Sequence, residues 1–151
     1  MDPAIPADIA RTIQLAVAPV FLIAGIGALL NVLTSRLARV VDRGRKLEAA
    51  LDAGAQGAER ERELFELSCI DKRMQRINVA ITLATVAELL VCVVVVCLFM
   101  SEFLHVALAP VIAGLFIAAM TALIGALTFF LGEISVAIRT LRVRRELLER
   151  N

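Results

Sequence analysis

Three long apolar runs, held apart by charge-dense segments, constrain this chain more than any other feature. Ile13–Leu33 contains no charged residue, Ile77–Met100 contains one (Glu88), and Val106–Leu131 contains none. A bilayer hydrocarbon core about 30 Å thick is crossed by roughly 20 residues of helix, and every run meets that length. Buried helices of water-soluble proteins are usually shorter and keep a polar face. Hydrophobic residues make up 60% of the chain, against about 45–50% in soluble domains, and the excess sits in these runs. The expected fold is an all-α membrane protein, one membrane domain over 1–151, with spans at 13–34, 77–100 and 106–131.

A net charge of +1 predicts no strongly charged partner, but the charges are segregated. Arg36, Arg39, Arg43, Arg45 and Lys46 follow the first run, Lys72, Arg73 and Arg76 precede the second, and Arg139, Arg142, Arg144 and Arg145 follow the third. The opposite ends, Met1–Thr12 and Ser101–His105, hold one arginine and none. Basic residues flanking spans mark the cytoplasmic side. All three spans therefore agree on an N-terminus outside, a short external turn at 101–105, and a cytoplasmic C-terminus. The expected location is a bacterial inner membrane. Trp and Tyr are absent, so the usual interfacial aromatic belt falls to Phe and Arg. The first run is expected to remain as a span rather than be cleaved as a signal. Asp2, Asp8 and Arg11 precede it without a basic cluster, and arginines follow it directly.

Between the first two spans, Leu33, Leu37, Val40, Leu47 and Leu51 recur at helical spacing, interrupted by Gly44. Residues 53–58 are small and turn-prone. From about Glu59 a second stripe follows: Leu64, Leu67, Ile70, Met74 and Ile77. The simplest structure extends both spans into a coiled-coil-like antiparallel helical hairpin over 35–76 in the cytoplasm. The alternating charges of Glu59–Glu63 read as a solvated face. Beyond Gly132, Ile134, Ile138, Leu141 and Leu148 predict an amphipathic C-terminal helix over 132–150. It is expected to pack on the hairpin rather than lie on lipid headgroups.

Within the spans, polar and small residues form stripes. Asn78, Thr82, Thr85, Glu88 and Cys92 fall within about 120° of one helix face. A carboxylate at the middle of a span costs about 2.5–3.5 kcal/mol even on permissive insertion scales. Glu88 must therefore be neutralised, hydrogen-bonded, or facing water or an ion. Span three carries Gly114, Ala118, Thr121, Gly125, Thr128 and Gly132 on one face, where small residues let helices approach closely. Span one adds Ala24, Gly25, Gly27, Ala28 and Asn31, with Pro19 inside the helix. Two readings follow. In one, Gly25, Gly27, Gly114, Ala118 and Gly125 are packing positions, and the Thr, Asn and Glu side chains are interhelical hydrogen-bond partners. In the other, Glu88, Thr85, Thr82, Asn78, Thr121 and Thr128 line a proton or cation path formed when copies assemble. Glu133 is expected to pair with a nearby arginine at the cytoplasmic edge.

No catalytic constellation is present, so the chain is not expected to be an enzyme, to bind a cofactor or metal, or to engage nucleic acid. His105 is the sole histidine, and Cys69, Cys92 and Cys97 lack metal or redox spacing. The stretch Ala18–Arg43, which reads APVFLIAGIGALLNVLTSRLARVVDR, resembles a bacterial membrane family catalogued only as a domain of unknown function. That resemblance extends over most of the chain. It implies three spans, and it supplies no catalytic residues. In layout the chain is also similar to the ExbB/TolQ/MotA proton-channel subunits, although no motif is shared and the carboxylate here, Glu88, lies within the chain itself. The expected partners are the lipid bilayer, further copies of the chain, and a protein on the cytoplasmic side. Two functions follow: a homo-oligomeric proton or cation channel, or a non-conducting scaffold or accessory subunit that binds its partner through the cytoplasmic helices.

Overall fold

A computed structural model of the chain describes residues 4–54, 56–104 and 107–148, with side chains described at 10–54, 56–104 and 107–133. The described residues form three α-helices: α1 over Ala4–Asp52, α2 over Ala58–Leu104 and α3 over Ala109–Leu148. They are 49, 47 and 40 residues long, or about 60–75 Å each at 1.5 Å per residue. That is roughly twice a hydrocarbon core, so each helix has length left over beyond its apolar run. All three are long and apolar enough to cross a membrane. Only 17%, 22% and 11% of their most apolar stretches is buried, and Phe21, Leu89 and Ile117 lie largely exposed. Such surfaces are stable only with lipid as their solvent. The protein is a multi-pass, all-helical membrane protein.

Burial along each helix follows one seam. In α1, Thr12, Ala16, Pro19, Ile26, Leu33, Val40, Gly44 and Leu47 are buried, with half-buried Ile23, Leu30, Leu37 and Leu51 completing the pattern. The steps alternate between three and four residues, the 3.5-residue repeat of coiled-coil packing. α2 continues the rule at Ile70, Ile77, Ala80, Ala84, Ala87, Val91 and Val94. In α3, Ala119, Ala126 and Glu133 are buried at intervals of seven. The chain divides into two compact units, one of Met1–Asn31 with Thr82–Gly125 and one of Val32–Ile81 with Ala126–Asn151.

In the second unit Val40 and Leu47 of α1 pack with Ile70 and Ile77 of α2, flanked by Leu37, Leu67, Met74 and Ile81. α1 passes through Gly44 as one continuous helix, and the gap that glycine left in the apolar stripe is not a gap in the packing. Gly44 is a seam position, and a Cβ there would sit 3.6 Å from Ile70 Cγ2, so the glycine serves contact between helices rather than a break. The stripe expected in α2 also shifts. Leu64 is exposed and half-buried Glu63 takes the seam position, because the sequence 63, 67, 70, 74, 77 keeps the four–three alternation and 64 does not.

α1 ends where the Ala53 amide donates to the Ala49 carbonyl (3.1 Å) and the Gly54 amide to the Leu51 carbonyl (3.2 Å). Gly54 and Gly57 take φ of 98° and 61°, values that cost an L-residue with a Cβ about 1–2 kcal/mol. Glu59 and Glu61 lie in the first turn of α2, where carboxylates favour the helix dipole. The external turn expected at 101–105 begins later, since 101–104 remain helical in α2. Pro110 stands in the first turn of α3, where its missing N–H leaves no helix bond unmade. α3 then continues through Gly132 as one helix with the tail. His105 and the side chains of the amphipathic tail and its four arginines lie outside the described side chains.

Candidate functional site

The first unit holds the mid-span carboxylate. The buried face of α2 is Ala84, Ala87, Val91 and Val94, with Ala84, Ala87 and Val91 completely buried. Thr82, Thr85 and Cys92 are exposed on the opposite side, and Glu88 is half-buried between them. At 100° per residue Thr82, Thr85 and Cys92 centre about 150° from the seam and Glu88 about 80° from it, so the threonines and Cys92 point away from the helices this chain packs against α2 while Glu88 sits on the flank of the packed face. Glu88 makes no hydrogen bond or ion pair with any described residue. Thr82 and Thr85 have partners within the chain, as do Asn78 and Thr128 of the second unit. Thr121 donates to the Ile117 carbonyl at 2.8 Å, the usual way for a helical threonine to satisfy its hydroxyl without water.

The small residues divide in the same way. A Cβ on Gly125 would meet Leu83 Cδ1 at 3.2 Å, so α2 and α3 approach closely there. A Cβ on Gly25, Gly27 or Gly114 would meet nothing within 4 Å, and Ala118 is exposed. Inside the chain, close approach is made instead by Ala84 and Ala87 of α2 and Ala119 of α3. Sequence reasoning passed over these alanines because glycine and threonine marked a more conspicuous face. The signal available was the 80, 84, 87, 91, 94 spacing of alanine and valine, which is a coiled-coil seam once α2 is read as one long helix. Also in this unit, an open cavity of about 470 Å³ is lined by Thr12, Leu15, Pro19, Leu98, Glu102 and Phe116 among others.

The second unit holds a buried charge cluster joining its three helical segments. Glu133 of α3 is only 2% exposed. Its Oε2 accepts from Arg36 Nη1 of α1 at 3.0 Å, and its Oε1 from Arg73 Nη2 of α2 at 2.7 Å. The Arg36 guanidinium also lies 5.0 Å from the centre of the Phe130 ring, a cation–π distance. A carboxylate this deep is tolerated because each oxygen holds a charge-assisted bond. The arginines remain partly open, with side chains 33% and 37% exposed. Arg73 Nε is itself buried without an acceptor. The expected arginine pairing of Glu133 is thus present with two partners, Arg36 and Arg73. Sequence alone could not choose them among the basic residues that follow span one and precede span two. Farther along the same unit Arg43 donates from Nε (3.0 Å) and Nη2 (2.6 Å) to Glu66 Oε1. That pair is exposed on both sides and worth at most about 1 kcal/mol. Among the described residues no group of three His, Cys, Asp or Glu side chains is arranged to hold a metal ion.

No curated protein and no solved structure matches the chain. A family model does, over residues 16–143, a range that takes in all but the first three residues of the apolar runs, both faces of α2 and the Arg36–Glu133–Arg73 cluster. The chain therefore belongs to the family described as protein of unknown function (DUF2721).

Proposed function

We propose that this chain is a subunit of a homo-oligomer in a bacterial inner membrane, assembled about the polar face of α2, with Glu88 on a proton or cation path. The observation that carries this reading is the direction of that face. Thr82, Thr85 and Cys92 are exposed on the side opposite the alanine–valine seam that packs inside the chain, and Glu88 is half-buried at the edge of that stripe nearest the seam. Left against lipid, an ionisable group at mid-span is costly. Facing the same stripe of further copies, it gains polar neighbours and a route for water. The open glycines Gly25, Gly27 and Gly114, with exposed Ala118, suit close contact between copies, and Thr121 and Thr128 add hydroxyls along α3. No catalytic activity, cofactor, metal or nucleic acid belongs to this reading.

Its topology places the N-terminus outside and the C-terminus in the cytoplasm. The arginine-rich ends of the spans support it. The portions of α1 and α2 beyond the apolar runs then form a cytoplasmic antiparallel hairpin, with the continuation of α3 alongside.

The test is ion flux into proteoliposomes containing wild type or Glu88→Gln. Flux in wild type that is lost in the variant is expected. Background flux in both overturns conduction. A stable monomer mass in detergent and in lipid nanodiscs overturns the assembly.

A second reading has its own support. Phe65 is 72% exposed beside exposed Leu64 on the segment read as cytoplasmic, and apolar side chains in water favour a protein partner. In that reading the protein is a non-conducting scaffold or accessory subunit. Deleting residues 44–70 would then remove its co-purifying partners while leaving the spans inserted.

A further inference from the structure

We infer that the Arg36–Glu133–Arg73 cluster is a seat for the phosphate of an anionic phospholipid headgroup. The site rests on the membrane reading above and is independent of conduction.

Its charge is the first reason. Two guanidiniums converge on one carboxylate, through Arg36 Nη1 at 3.0 Å and Arg73 Nη2 at 2.7 Å, so the cluster keeps a net positive charge. Arg39 and Arg76, one helical turn from Arg36 and Arg73, are exposed and basic.

Unused donors are the second reason. A guanidinium has five N–H groups in a planar fork, and Glu133 occupies a single nitrogen of each. About a third of each arginine side chain is exposed, while Arg73 Nε is buried with no acceptor. A buried donor left unbonded is unfavourable. A small turn of the Arg73 fork toward an acceptor at its open edge relieves that cost. Phosphate oxygens match the fork in geometry and charge.

Position is the third reason. Leu33, Ile77 and Leu131 end or begin the apolar runs, and the three charged residues stand within four positions of them. A headgroup phosphate sits at that level of a bilayer, just beyond the hydrocarbon. On the cytoplasmic leaflet anionic lipids draw basic residues at such a boundary. Glu133 holds the two forks in place, and the stacking of Arg36 on Phe130 leaves that guanidinium little freedom to swing away.

The experiment uses the full chain in a non-ionic detergent. Lipid binding is read by native mass spectrometry and by the shift in melting temperature, with phosphatidylglycerol, phosphatidylcholine and inorganic phosphate as separate probes. Wild type is expected to bind phosphatidylglycerol about tenfold more tightly than phosphatidylcholine, the loss or gain expected of one charge-assisted bond. Inorganic phosphate at the same concentration should give no shift. Arg73→Lys keeps a cation for Glu133 but lacks the fork, and should bring the two lipids to within about twofold. Arg36→Lys is the second variant should the first fail to fold, with the same expectation. Equal affinity for both lipids in wild type overturns the proposal, as does undiminished preference in a folded lysine variant. A full shift from inorganic phosphate alone overturns the lipid assignment. Flux through wild-type proteoliposomes reports separately on Glu88, so failure here and failure of conduction are distinguishable.

Discussion

Arg73 Nη2 and Glu133 Oε1 meet at 2.7 Å although 60 residues separate them in the chain. The contact joins α2 to α3, and the second oxygen of the same carboxylate joins α3 to α1 through Arg36. One buried acid thus ties together the three helical segments of its unit, at the level where the apolar runs end.

Removing that acid is expected to loosen the unit. Glu133→Ala leaves two guanidiniums without their counter-charge. Breaking a fully buried pair costs about 3–5 kcal/mol. Because each arginine side chain is about a third exposed, screening lowers the expected loss to about 2 kcal/mol. Thermal unfolding of purified protein in detergent measures it, with Glu66→Ala as the comparison. That change breaks only the exposed Arg43 pair and should cost less than about 1 kcal/mol. Equal losses in the two variants would count against the cluster as a tie.

Gly44→Ala is expected to stabilise. The new Cβ would stand 3.6 Å from Ile70 Cγ2, ordinary van der Waals contact, and alanine in a helix interior is favoured over glycine by about 1 kcal/mol. Gly57→Ala should do the reverse by about 1 kcal/mol, since φ there is 61°. Both are read from melting temperatures of the two variants against wild type. A loss at Gly44 would mean the helices are closer than 3.6 Å implies.

Glycines that look alike in sequence should respond differently. Gly125→Leu forces a branched side chain against Leu83, already 3.2 Å from the position of a Cβ, and overpacking of that kind costs about 1–3 kcal/mol. Gly114→Ala meets nothing within the chain and should leave monomer stability within about 0.5 kcal/mol of wild type or slightly above it. Unfolding in detergent that dissociates any oligomer makes the comparison.

Cys92 offers a direct probe of the polar face. It is exposed and one helical turn from Glu88 on the same stripe. With Cys69→Ser and Cys97→Ser in place, a short bis-maleimide applied to membranes is expected to link copies through Cys92 by adding one thiol to each maleimide. Absence of linked dimers, with Cys92 still accessible to a monofunctional thiol reagent, would remove the shared face from the assembly.

Much of the architecture was legible in the order of residues. The length and charge-poverty of Ile13–Leu33, Ile77–Met100 and Val106–Leu131 determine that the chain is helical and lipid-embedded, because hydrocarbon leaves no partner for backbone N–H and C=O groups except their own helix. The stripe of Val40, Leu47, Ile70 and Ile77 was readable too, since outside the runs charged residues surround it and contrast reveals the packed face. Inside the runs that contrast disappears. Lipid is as apolar as the helix interface, so polarity does not distinguish Ala84 and Ala87, which pack, from Gly25 and Gly114, which do not, and only the three-and-four spacing of 80, 84, 87, 91 and 94 hints at the seam. Only tertiary structure decided that α2 turns its alanines inward and leaves Glu88 half-buried on their flank, and that Arg36 and Arg73, rather than their basic neighbours, close on Glu133. Both outcomes depend on which helix faces meet across long stretches of chain, and helical periodicity alone carries no record of that.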